Sequence, residues 1–238
     1  MSAESDSGDD LPMSPRIEGL ATLEQTPHRR EVRRLAQAMR DIIGSLVSTT
    51  ATTEDLASAA DDLENLAAVL GALPSGQSYD GFAEAAIAGE MPGGQQRWAS
   101  AFDYSPFIGL ANPMSPPMHL HQDGDRVFCD VTFGAAYEGP PGCVHGGYVA
   151  AAFDELLGAA QSMSGTQGMT AHLGVDYRRP TPLHAPLQME GWLDRRDGRK
   201  IWAKGTIVAD GELRAEAEGL FIAFDPELFR QLVEERDG

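Results

Sequence analysis

A chain of 238 residues, 42% of them hydrophobic, suits one medium globular domain with an appendage, or two small domains. Its formal net charge of -18 and pI near 4.5 repel nucleic acid and anionic membranes, so neither is expected as a partner. Two cysteines, Cys129 and Cys143, are too few for a disulfide scaffold and are not spaced as a metal site; the opening MSAESDSGDDLP lacks the apolar core of a secretory signal; no run approaches the ~18 apolar residues that span a bilayer. A soluble cytoplasmic protein with no membrane insertion is the expectation.

Residues 1–28 are polar, acidic and proline-dotted, and read as a disordered acidic tail. Residues 29–73 read as a helical hairpin. In its first half Val32, Leu35, Met39, Ile42, Ile43 and Leu46 recur at helical spacing. In its second half Thr52 and Asp55 resemble a capping box, Leu56, Leu63, Leu66 and Leu70 form the stripe, and Gly71 and Pro74 stop it. The first helix carries Arg29, Arg30, Arg33, Arg34 and Arg40; the second carries Glu54, Asp55, Asp61, Asp62 and Glu64. Opposed charges predict antiparallel pairing, and the net charge favours that over a nucleic-acid role for the arginines. Residues 74–104 read as a connector. The segment SPFIGLANPMSPPM that follows is apolar and proline-stiffened, suited to line a pocket.

From residue 119 the pattern changes to strands. HLHQDGDRVFCDVTF reads as a hairpin around Asp123-Gly124. An apolar helix follows from about 146 to 162. Strands are then predicted over 170–177, 187–196, 200–209 and 212–224, with Asp197-Gly198 and Asp210-Gly211 as tight turns. DPELFRQLVEERDG reads as a short exposed helix at most. The order implies an α+β fold, one antiparallel sheet wrapped around one buried helix.

The stretch GCVHGGYVAAAFDELLGAA poses the functional question. Asp154 and Glu155 sit in the middle of a helix apolar enough to be buried, where an unpaired carboxylate costs several kcal/mol. Successive helix positions lie about 100° apart, so the two cannot share a face. Either one of them points to a special place or both reach a subunit boundary; the plainer alternative is a cap or an arginine pair. Gly146 and Gly147 open the helix, where unbonded N–H groups can polarise a carbonyl; a glycine pair is also an ordinary tight turn. His145 is a general base or, as we favour, a residue that fixes the turn. Cys143 beside it permits a Cys–His nucleophile, against which stands the ordinary small buried thiol.

HGG followed by six residues and then Asp-Glu, the strand TAHLGVDYRRPTPL, and a late GRK together resemble the PaaI-like acyl-CoA thioesterases of the hotdog fold, over residues 105 to about 225. The resemblance implies that 105–238 is a hotdog thioesterase domain, working without a cofactor as a homodimer or dimer of dimers with its site between subunits. It implies hydrolysis of an acyl-CoA substrate, with Asp154 as nucleophile or base for water and Glu155 a structural neighbour kept as second choice. Thr170 matches a hydroxyl that orients water or carboxylate; His145, Gly146 and Gly147 match the motif that holds and polarises the thioester carbonyl. Arg178, Arg179, Gly198, Arg199 and Lys200 fall where a CoA grip is needed, or are plain hairpin surface charge. Some relatives have Asn six residues before the motif histidine; here that position is Gly139. Two further readings share the fold: an acyl-CoA-binding sensor, and a hydratase or dehydratase, for which His172 is the one histidine near enough in sequence.

Overall fold

The computed structural model describes residues 11–74, 102–116 and 118–223. The acidic start, most of the connector and the helix predicted after 224 lie outside the described residues. Three helices come first: α1 (Pro15–Thr22), α2 (Pro27–Val47) and α3 (Thr53–Gly71). The hairpin β1 (His119–Asp123) and β2 (Arg126–Val131) follows, then a 3-10 turn over Ala135–Tyr137 and the helix α4 (Gly146–Ser162). β3 (Gly168–Tyr177), β4 (Leu187–Asp197), β5 (Lys200–Ala209) and β6 (Glu212–Ala223) complete the chain. The strands form one antiparallel sheet in the order β1-β2-β4-β5-β6-β3, with β3 at an edge.

Alternation explains the sheet. Along β5 every second residue, from Ile201 to Ala209, is buried, so one face looks at α4 and the other at solvent. Asp210 and Gly211 both take positive φ, 54° and 74°, which a two-residue turn between right-twisted strands requires. The helix seats in a trough of glycines on three neighbouring strands. A Cβ on Gly191 would lie 2.9 Å from Leu156 Cγ; one on Gly205 would lie 3.1 Å from both Leu156 and Leu157; one on Gly219 would lie 3.2 Å from Leu157. Phe153, Leu156 and Leu157 are wholly buried there. Each such side chain contributes about 2 kcal/mol of burial.

Two expectations for the N-terminal part are corrected. Inside the stretch read as a disordered tail, α1 packs on α4 and β1. Ser14 Oγ meets Ser162 Oγ at 2.9 Å, and Ser14 N–H donates to Gln122 Oε1 at 2.7 Å. Ile17 and Leu20 pack on the core. Eight residues are too few to show a period, and their order comes from these distant contacts. α2 and α3 occur as predicted, but the charge pairing between them does not. Arg29 and Arg33 bind Asp103, Arg40 donates to the carbonyls of Leu110 and Asn112, and Arg34 binds Glu31 within its own helix. Asp103 has a fully buried carboxylate. It gains far more from a cation than the exposed acids of α3 do, so it captures the arginines.

Candidate active site at the mouth and flank of α4

The loop before α4 is built around glycine. A Cβ on Gly139 would lie 2.7 Å from His145 Cα, so no residue with a side chain, asparagine included, fits against the histidine there. Gly139 N–H donates to Cys143 O at 2.9 Å, Gly142 takes φ +73°, and His145 N–H donates to Tyr137 O at 2.9 Å. This clamp delivers His145 to the N-cap of α4.

The ring of His145 then holds the helix start. Its Nδ1 accepts from Gly147 N–H at 3.0 Å. That bond puts the ring proton of the neutral tautomer on Nε2, where it faces outward as a donor. Gly147 N–H is therefore turned inward to the histidine rather than outward as expected. Among the described residues Gly146 N–H has no acceptor, and it sits at the positive end of the helix. Tyr177 locks the same turn, donating from its hydroxyl to Gly146 O at 2.8 Å. Cys143 Sγ points to Pro141 O, and His145 Nδ1 is occupied by Gly147, so the structure brings together no Cys–His pair. Burial pushes the Cys129 thiol up to about 12, which leaves it inert.

The two adjacent carboxylates have separate surroundings. Asp154 is half-buried, and its Oδ1 accepts from Thr170 Oγ1 at 2.8 Å. A β-bulge between Thr170 and His172 turns Thr170 toward the helix. Glu155 points the other way, into Arg16 Nη1 at 2.6 Å and Ser105 Oγ at 3.4 Å. Asp154 has no ion-pair partner among the described residues, whereas Glu155 is neutralised. His172 is exposed one residue beyond the bulge.

The predicted basic grip falls into two groups. Arg178 follows Tyr177 and binds Glu216 and Asp176; Arg179 binds Glu212. Hydrogen bonding to Glu216 raises the Arg178 pKa. Gly198, Arg199 and Lys200 lie at the β4–β5 turn, where Arg199 donates to Ala223 O. Tyr177 pairs with Ala215 and Gly168 with Ala223, so the groups lie at opposite ends of β3, roughly 30 Å apart. In one chain they do not converge.

Sequence reasoning missed the aromatic wall beside the helix mouth. Tyr137 and Tyr148 meet edge-on at 4.8 Å, and together with Arg40, Ile43, Met114 and Ala135 they line a cavity of about 420 Å³. Burial raises the Tyr137 hydroxyl pKa. The proline-stiffened segment contributes Pro113 and Met114 to this wall. Nothing local in the sequence marks α2 as its other side. No helix among the described residues is long and apolar enough to cross a membrane.

The Thioesterase superfamily profile matches residues 141–216. A solved structure described as a thioesterase superfamily protein is 32% identical, superposes with a TM-score of 0.69, and the match covers 84% of this chain and 92% of that one. The chain belongs to the thioesterase superfamily. Its sheet wrapped around α4 is the hotdog fold, and the superposition extends well beyond that unit. Among curated relatives, acyl-coenzyme A thioesterase THEM4 of Bos taurus is 37% identical over 109 residues, 45% of each chain. The Rattus norvegicus protein of the same name is 36% identical over 112 residues, 46% of this chain and 48% of its own. The chain thus spans just under half the length of the curated relatives it matches.

Proposed function

We propose that this thioesterase-superfamily protein hydrolyses an acyl-CoA thioester to free acid and CoA, in a site completed by a second copy of the chain. The observation that carries the reading is the Asp154–Thr170 hydrogen bond, a carboxylate with no counter-cation among the described residues held at the exposed edge strand β3. The helix mouth at Gly146 lies eight residues from Asp154, about 12 Å along the axis. A carbonyl held at the mouth of one helix is out of reach of the same chain's Asp154. Antiparallel pairing of β3 with β3 of a second copy extends the sheet and supplies the missing half.

The chemistry follows from these groups. Gly146 N–H and His145 Nε2–H donate to the thioester oxygen, and Gly147 holds the histidine that does so. Asp154 removes a proton from water, whose oxygen attacks the carbonyl carbon; the C–S bond then breaks, and the thiolate leaves and takes up a proton. Direct attack by Asp154, giving an anhydride that water opens, uses the same atoms. Thr170 fixes the carboxylate through Oδ1 and leaves Oδ2 for the proton. Arg178 and Arg179 from one chain, with Gly198, Arg199 and Lys200 from the other, are offered as the grip on the CoA phosphates. Glu155, already neutralised by Arg16, is not needed.

The test is thiol release from medium and long aliphatic, arylacetyl and benzoyl CoA esters, comparing wild type with Asp154→Asn. Turnover should fall by about 10²–10⁴-fold while the oligomer persists. Surviving turnover would remove Asp154 from the reaction. Tight acyl-CoA binding with no release would make the protein an acyl-CoA sensor.

A further inference from the structure

On α2, Gln37, Arg40, Asp41 and Gly44 recur in steps of three and four, so they share one side of the helix, and all four line the cavity at Tyr137 and Tyr148. A helix side that packs on a core is apolar; this one is polar and borders a cavity instead. Gly44 marks the difference. It lies inside the helix Pro27–Val47, where glycine weakens the backbone relative to alanine. Packing does not require it, because a Cβ there would meet nothing within 4 Å, and its backbone is ordinary helix. The room that glycine leaves belongs to the cavity it lines.

Two tyrosines tie that cavity to the mouth of α4. Tyr137 O accepts from His145 N–H at 2.9 Å, and the Tyr148 ring lies 6.4 Å from the His145 ring. A carbonyl held by His145 Nε2–H and Gly146 N–H therefore has one of its two substituents beside this wall. The opposite flank, past Tyr177, runs to Arg178 and Arg179 and suits the CoA side. The cavity itself suits an uncharged group. Arg40, its one cation among the described residues, is held by the carbonyls of Leu110 and Asn112 and by Gln37 Oε1, and Asp41 follows it on the helix. A phosphate finds no free cation there. A volume of about 420 Å³ stands near the low end of small-ligand pockets, about 300–1,000 Å³, and the edge-on tyrosine pair adds aromatic surface.

We propose that this cavity receives the acyl group of the thioester, a compact aryl or medium-chain group, and that Gly44 of α2 sets the room for it. The inference rests on the thioester reading for the identity of its ligand. It makes α2, which lies outside the residues 141–216 matched by the family profile, a specificity element of the site.

The test compares full-length wild type, Gly44→Ala and Gly44→Leu on acetyl-, octanoyl- and phenylacetyl-CoA. Both substitutions replace a helical glycine in open space, so the urea midpoint should not fall. Gly44→Leu should lower kcat/KM for octanoyl- and phenylacetyl-CoA by about 10-fold or more and leave acetyl-CoA within about twofold, with Gly44→Ala between wild type and Gly44→Leu. Equal loss for all three esters in folded protein would overturn the proposal and give the cavity to the CoA moiety. No loss for any ester would overturn it too. Failure of the hydrolysis reading looks different: wild type would release no thiol from any ester, and calorimetric binding of the same three esters then decides. Tighter binding of octanoyl- and phenylacetyl-CoA than of acetyl-CoA, erased by Gly44→Leu, would keep the cavity as an acyl receptor. Binding without that preference, or a preference that survives Gly44→Leu, would overturn it.

Discussion

α4 and α3 are helices of 17 and 19 residues held by opposite means. α3 has every local signal: Thr52 accepts from Asp55 N–H and donates to the Asp55 carboxylate, acids fill the first turn, and alanine and leucine fill the body. α4 starts with two glycines, has no acid in its first turn, and is capped by a histidine ring. Yet α4 is buried over its last two turns, and α3 buries none of its residues. A helix that the sheet holds can spend its first turn on unbonded N–H groups and a carboxylate flank. A helix held by its own sequence stands without a buried face.

This contrast can be broken in four places. Leu156→Ala empties the glycine trough under α4 and should cost about 3 kcal/mol, seen as a lower urea midpoint with an unchanged slope. Leu63→Ala, at a partly exposed position of α3, should cost far less, well under about 1 kcal/mol, read as the same urea midpoint shift, because little of its side chain leaves water on folding. Arg16→Ala leaves Glu155 in its niche without a cation. About 1–2 kcal/mol of global stability should go, since both side chains keep some access to water. Rescue by Glu155→Gln in the double variant would show that the loss is electrostatic; a loss that persists would assign it to packing. Thr52→Ala should cost about 1 kcal/mol, confined to α3, as faster amide exchange over its first turn with the midpoint for the sheet unmoved.

The sheet was readable because its signals are local. Period-two burial and two Asp-Gly turns placed β4, β5 and β6 to within one or two residues of their ends. The Asp154–Thr170 approach was readable only through the resemblance, since its geometry depends on a bulge that no residue pattern announces. The partner of Glu155 was not readable at all. Arg16 lies 139 positions away, in a segment whose composition argues for disorder. The arginines of α2 misled for a related reason: Asp103, buried and 70 positions distant from Arg33, has a stronger claim on them than the nearest acids in sequence. Gly139 was legible as a departure, and its meaning came only with the 2.7 Å approach to His145.

Arg16 reaches Glu155 by crossing α4 at Gly158, where a Cβ would lie only 2.8 Å from its Nη1. The notch has a consequence for how the molecule divides. The family profile covers residues 141–216, but the packing around the central helix reaches back to Ser14, because the first helix plugs a gap in it. A fragment that lacks the first helix would carry Glu155 without its arginine and an open notch at Gly158. What looks in the sequence like a module with a leader is, mechanically, a single piece whose keystone sits near its start.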